Sequence, residues 1–182
     1  MRSMDKWLMS EERGQPFFYC VSCRLPLLEI DAPWLVNKDY FRGECVLEYA
    51  VCQPCRDAFS ARISEDSKAA VRKFLETKID WEARVAGFML MADPTERFAC
   101  CIGCETPREL LDGYAISALF DSGGHLVTGP LPLLLCHLCV GHMTATLSDE
   151  SRAVWKQFCD DHFERPPGDD TQPEDFGGLG IF

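Results

Sequence analysis

The chain has 182 residues, 47% of them hydrophobic and 26% charged, an ordinary globular composition with room for one medium domain or two small ones. Acids outnumber bases 29 to 18, a formal net charge of −11. A phosphate backbone repels such a surface, so nucleic-acid binding would need a strong local exception.

Met1–Ser10 has scattered charge and no apolar core of the kind a secretory signal needs. The longest apolar run, Leu131–Cys136, contains Pro132 and is far shorter than the roughly 18 residues of a membrane span. These two features lead to the expectation of a cytoplasmic protein with no membrane segment. The informative number is eleven cysteines, eight of them in four C-x-x-C pairs. Without a secretion signal, that spacing points to metal ligation rather than a disulfide framework.

In chain order, residues 1–16 form a leading segment, followed by the first pair, Cys20/Cys23, and then Pro26, which stops a helix from forming. An apolar, β-rich stretch comes next: Trp34–Val36, Tyr40–Phe41 and Val46–Val51. The second pair, Cys52/Cys55, opens a short helix over about 54–62, with Pro54 near its first turn. Ser64, followed by two acids, caps a longer helix whose apolar residues Ala70, Val71, Phe74 and Leu75 share one face. Residues 80–91 have the character of a linking helix that ends before Asp93-Pro94.

The same order then repeats. Cys101/Cys104 are followed by Pro107, and Tyr114–Phe120 and His125–Val127 are strands joined by a turn at Gly123-Gly124. Cys136/Cys139 open a helix over about 138–146, and Ser148 caps another that carries Val154, Trp155, Phe158 and Cys159. Phe17–Pro26 aligns with Phe98–Pro107 at an offset of 81, and Ile63–Phe74 with Leu147–Phe158 at 84. This register of serines, acids, bases and aromatics indicates an internal duplication of about 65 residues per unit. From Arg165 onward the chain reads as an acidic tail.

Two residues between cysteines let both sulfurs turn toward one ion, and two such pairs close a tetrahedral site with no open position. The expected ligands are Cys20, Cys23, Cys52 and Cys55 for one zinc, and Cys101, Cys104, Cys136 and Cys139 for a second. Over residues 17–62 and 98–146 the order of knuckle, β-hairpin and ligand-bearing helix resembles the treble-clef group of zinc fingers. The ligand spacing is also shared with zinc ribbons and rubredoxins. The resemblance implies an α+β fold of two tandem, pseudo-symmetric treble-clef-like zinc modules, each followed by a packing helix. The expected boundaries are 17–79 for the first module, 80–97 for the link, 98–165 for the second module and 166–182 for the tail. Two zinc ions in four thiolates each would bring the working charge to about −15.

The remaining candidates favour plainer roles. Cys45, Cys100 and Cys159 have no partner at ligand spacing and are expected to pack. His125 is expected at a turn or the surface, and His137, between two ligand cysteines, is expected to support the ligands or face solvent rather than ligate; His142 and His162 complete the four histidines, all in the second copy. No phosphate-binding loop, H-E-x-x-H or nucleophile elbow is present, so no enzyme is expected. Cys52-Gln-Pro-Cys55 resembles the thioredoxin-type dithiol and keeps a redox-responsive zinc/thiol protein open as an alternative. A basic stripe of Arg56, Arg62, Lys68, Arg72 and Lys73 keeps open a nucleic-acid-binding zinc finger, which the net charge disfavours.

The leading expectation is a non-catalytic protein-interaction module with structural zinc. Residues 1–97 hold 14 bases and 16 acids, whereas residues 98–182 hold 4 and 13, so the second half could dock a basic partner. Pro130–Leu135 and the apolar end of the tail are candidate contact surfaces, and a homodimer through a hairpin edge would use the same features.

Overall fold

The computed structural model describes residues 9–88 and 93–163; the end of the linking helix and the acidic tail lie outside the described residues. Among them are five α-helices and one five-stranded antiparallel sheet. In chain order these are β1 (Trp34–Phe41), β2 (Glu44–Cys52), α1 (Gln53–Ser60), α2 (Glu65–Lys78), α3 (Trp81–Phe88), β3 (Gly113–Phe120), β4 (Leu126–Val127), β5 (Leu133–Cys136), α4 (His137–Thr144) and α5 (Asp149–His162). Three short 3-10 turns lie at Leu27–Glu29, Pro94–Phe98 and Arg108–Leu110.

The two halves of the chain meet in the middle of the sheet. β1 pairs along its whole length with β3, from Trp34↔Phe120 to Phe41↔Gly113. β2 flanks β1 on one side, while β4 and β5 share the other edge of β3. The β1–β2 hairpin turns at Arg42 and Gly43, both at positive φ, which matches the right-handed twist of the strands. Two cross-strand stacks close one face of the central pair: Trp34 on Phe120 at 4.3 Å and Tyr40 on Tyr114 at 5.1 Å between ring centroids.

The β-rich stretch read from the sequence takes in Trp34–Val36 and Tyr40–Phe41 and leaves Asn37-Lys38-Asp39 between them unassigned. In the structure β1 runs through all three, and all three are buried. Each bonds a group remote in sequence, as buried polar residues require, and only Asp39 Oδ2 among their side-chain atoms is buried without a partner. Asn37 donates to the Tyr49 hydroxyl at 2.9 Å and accepts from Ser117 at 2.5 Å. Lys38, with none of its side chain exposed, donates to the Met9 carbonyl at 2.9 Å and to Glu11 at 3.0 Å, with Glu48 at 3.7 Å. Glu48 in turn accepts from the Ser10 hydroxyl and from the backbone N–H groups of Glu11 and Glu12. The leading segment is thereby tied across the sheet. Asp39 pairs with His137 of the other half.

The long helices pack crosswise. α5 lays Trp155, Phe158 and Cys159 against Tyr49, Phe59 and Ile63 of the first half. α2 lays Val71, with Phe74 and Leu75 beside it, against Met143 and Leu147 of the second. The apolar stripes are where the sequence expects them, but the half that each one covers is the opposite one. A helical stripe specifies that it must be buried and does not specify by what.

The crossing brings the N-termini of α2 and α5 head to head. Ser64 and Ser148 cap them as the spacing predicts, accepting from the N–H of Ser67 and Ser151 at 3.2 Å each. The caps are also exchanged: Ser64 N–H donates to the Ser151 hydroxyl at 3.2 Å, and Ser148 N–H to the Ser67 hydroxyl at 2.9 Å. Two positive helix ends face one another here. The four hydroxyls and the first-turn acids Glu65, Asp66, Asp149 and Glu150 offset that repulsion. Farther along, Arg84 donates to the carbonyls of Pro130 and Pro132, and Arg97 to those of Gly129 and Arg84, which anchors the linking helix to the loop before β5.

Ser67→Ala and Ser151→Ala are each expected to cost about 1 kcal/mol of unfolding free energy. The double variant should depart from additivity by about 0.5 kcal/mol or more, because the serines share one network. Urea unfolding of the two single variants and the double variant measures this.

Candidate metal centres

Each cysteine quartet is assembled by the same local devices. Cys20 N–H bonds the Leu25 carbonyl, and Arg24 N–H bonds the Cys20 carbonyl at 3.0 Å; in the other half Cys101 N–H bonds Thr106 and Glu105 N–H bonds Cys101 at 2.8 Å. Arg24 and Glu105 both take positive φ, 61° and 59°, so each knuckle turns sharply after its second cysteine. An isolated bridge, Tyr19↔Pro26 or Cys100↔Pro107, closes each turn. The knuckles hang on the outer strands through Val21 N–H to Ala50 O at 2.8 Å and Ile102 N–H to Leu134 O at 2.9 Å. The second pair in each case straddles a strand end and a helix start. Cys52 ends β2 and caps α1, and Cys136 ends β5 and caps α4.

The eight expected ligands fall into two clusters, Cys20/Cys23/Cys52/Cys55 and Cys101/Cys104/Cys136/Cys139, with the sulfurs of each within 4.8 Å of one another. Cys23 and Cys52 are 3.9 Å apart, and Cys104 and Cys136 are 3.7 Å apart. A disulfide needs about 2.05 Å, so these are separate sulfurs. A tetrahedral zinc–thiolate centre, with bonds of about 2.3 Å, puts its sulfurs about 3.8 Å apart. Both clusters fit a four-coordinate metal ion in size and in ligand type.

The electrostatics also call for a cation. In the first cluster burial raises the Cys52 and Cys55 thiols, whereas at Cys20 backbone N–H bonds from Cys52, Cys23 and Ser22 outweigh burial and lower it. In the second, burial and the neighbouring Cys101 sulfur raise Cys139, and burial lifts Cys136 to about 11. Burial raises Cys104 too, but hydrogen bonds from the Thr106 side chain and backbone, and from Cys101 and Cys136, bring it down to about 7. In each quartet one thiol is thus lowered and the helix-borne pair is held up by burial. A divalent cation at the centre offsets that effect of burial. Peptide N–H groups support the sulfurs, with Cys52 N–H on Cys20 at 3.5 Å, Cys136 N–H on Cys101 at 3.3 Å and Cys139 N–H on Cys136 at 3.4 Å.

The other expected residues divide. Cys159 is fully buried and packs, and Cys45 is half-buried and packs beside the second core. Cys100 is exposed, against expectation, because its knuckle position faces outward. His125 lies on the surface beside Asp121, and His142 is exposed on α4. His162 packs edge-on to Phe158. Leu133, Leu134 and Leu135 are buried in β5, so that strand offers no contact surface. Of the basic stripe, Lys68 is engaged by Glu65 on its own helix.

His137 has a place that sequence reading missed. Its ring bonds Asp39, stacks on Phe41 at 6.2 Å and lies where a Cβ at Gly113 would be. No local signal announces this, since the partners come from β1 and β3. Among the described residues no helix is long and apolar enough to cross a membrane. No family model, curated protein or solved structure matches the chain.

In the reduced, metal-free protein at pH about 7, Cys104 is expected to alkylate first among the eight, being exposed and the most ionised, and the buried Cys139 among the last. Peptide mass spectrometry after a brief iodoacetamide pulse reads the order.

Proposed function

We propose that this chain is a non-catalytic zinc protein, a duplicated pair of treble-clef-like modules that presents a protein-interaction surface. The observation that carries the zinc reading is the two closed all-cysteine clusters at tetrahedral spacing, with no open coordination position and no histidine or carboxylate among the ligands. Four thiolates suit zinc or iron, and zinc is the ion we assign. When bound, the ion neutralises the quartet and locks a knuckle to a strand end and a helix start. Its binding free energy is then folding free energy.

The interaction reading rests on an asymmetry between the knuckles. The first exposes Phe18, Tyr19, Leu25 and Leu28. At the offset of 81 the second carries Ala99, Cys100, Thr106 and Glu109. The second knuckle exposes Leu110 instead, so the same backbone turn is built without apolar groups at these four positions, and their presence on the first knuckle is not a demand of the fold. Exposed apolar groups clustered on one feature mark contact surfaces.

Protein purified without added metal is expected to carry two zinc per chain by elemental mass spectrometry, and Cys52→Ser to carry one. Iron, or no metal, would overturn the assignment. Removing both ions with a strong chelator should lower the midpoint of the cooperative unfolding transition seen by near-ultraviolet dichroism without abolishing it. For the surface, Leu25→Ser and Leu28→Ser should change stability by less than about 0.5 kcal/mol. A photo-crosslinker at position 25 should capture a defined protein in cells, whereas one at position 106 should not. Equal capture at both positions sinks the interaction reading.

A further inference from the structure

The two clusters are alike in ligands and differ in what holds their helix-borne pair. In the second, His137 occupies the first position of α4, between ligands Cys136 and Cys139. Its Nε2 meets the carboxylate of Asp39, a buried residue in the middle of β1. Phe41 stacks parallel to the ring, at 11° between planes. Gly113, directly across from Phe41 in the sheet, leaves the space that the ring fills, since a Cβ there would overlap it. The turn that carries two ligands is thus bolted to the central strand pair. The equivalent residue of the first cluster, Gln53, is exposed, and its following ligand Cys55 is only half-buried, whereas Cys139 is buried.

We propose that the two metal centres are kinetically unequal, with the Cys101/Cys104/Cys136/Cys139 centre holding its ion through the Asp39–His137 clamp and the Cys20/Cys23/Cys52/Cys55 centre exchanging freely. The inference rests on both clusters binding metal. When an ion leaves a closed four-thiolate site by local opening of a ligand-bearing turn, the free energy of that opening sets the rate. At α1 the opening breaks the helix start and the bond from Gln53 N–H to the Pro33 carbonyl at 2.8 Å, and the Gln53 side chain already faces solvent. At α4 it must also withdraw an imidazole from a packed slot and strip Asp39, buried in the sheet, of its partner, and a carboxylate left unpaired in such surroundings is costly. Asp39 and His137 are positioning residues: neither touches the ion, and each fixes where Cys136 and Cys139 stand. Because Asp39 belongs to the first half and His137 to the second, the tenacity of the second centre reports on the junction of the halves. An exchangeable centre beside a retained one suits a protein whose first knuckle answers to zinc supply or oxidants while the rest of the fold stays assembled.

The full chain loaded with two equivalents of zinc is challenged with excess chromogenic chelator, and pulses of alkylating reagent during release are read by peptide mass spectrometry. Two phases are expected, the fast one freeing Cys20, Cys23, Cys52 and Cys55, and the slow one Cys101, Cys104, Cys136 and Cys139. H137A should speed the slow phase at least ~10-fold and leave the fast phase unchanged. H137Q, which keeps an N–H for Asp39, should restore most of the difference. In the cadmium-113 spectrum of the cadmium-loaded chain, H137A should move only one of the two resonances. A single release rate for all eight cysteines overturns the inference. So does acceleration of both phases by H137A, or absence of rescue by H137Q. Two ions leaving together would overturn this inference alone, whereas a chain that takes up no metal overturns the zinc reading as well.

Discussion

The pairing of β1 with β3 is the constraint on which the rest of the molecule depends. Eight residues from each half line up in antiparallel register, so the sheet is completed only when the halves meet. A strand with neighbours on both sides leaves no edge for water, and a polar side chain buried on it is costly unless it finds a protein partner. That requirement reaches outward from Asn37, Lys38 and Asp39 in three directions: to Tyr49 and Ser117 across the sheet, to Met9 and Glu11 in the leading segment, and to His137 on α4. Three consecutive polar residues that look like a break in a strand are the hub that ties the chain's distant parts to its centre.

The cysteine clusters lie at the ends of the outer strands, with Cys20 and Cys52 in one apolar core and Cys101, Cys136 and Cys139 in the other. Each knuckle bonds to an outer strand, and each quartet joins a knuckle to a strand end and a helix N-terminus. Metal bound there would clamp the outer strands to the turns beside them, and the central pair is held by apolar stacks and buried polar bonds instead. The division of labour is physical. Closely spaced thiolates need a cation, whereas the polar residues of the central strand pair are bonded without one.

The crosswise packing of α2 and α5 makes the halves interdependent. A helix from each covers the other, and the serine caps at their meeting point are exchanged as well. Separate tandem modules would keep each helix on its own side. Here the buried stripes, the shared sheet and the head-to-head caps all cross the same junction, so the stability of either cluster's surroundings depends on both halves.

Sequence alone determined whatever is decided by neighbours along the chain. The C-x-x-C pairs, the serine caps with acids in the first turn, the Gly-Gly turn and the helical stripes depend on spacings of two to four residues, which covalent geometry carries into space unaided. It also located the eight cysteines of the two clusters, because a knuckle and a helix start each aim two sulfurs inward. The tertiary structure alone decided what those local pieces met: that β1 would continue through Asn37-Lys38-Asp39 and pair with β3, that each long helix would cover the opposite half, and that His137 would leave the solvent for Asp39. Those outcomes depend on partners tens of residues away. A polar residue's burial is settled by the groups that satisfy it, and no local pattern names them.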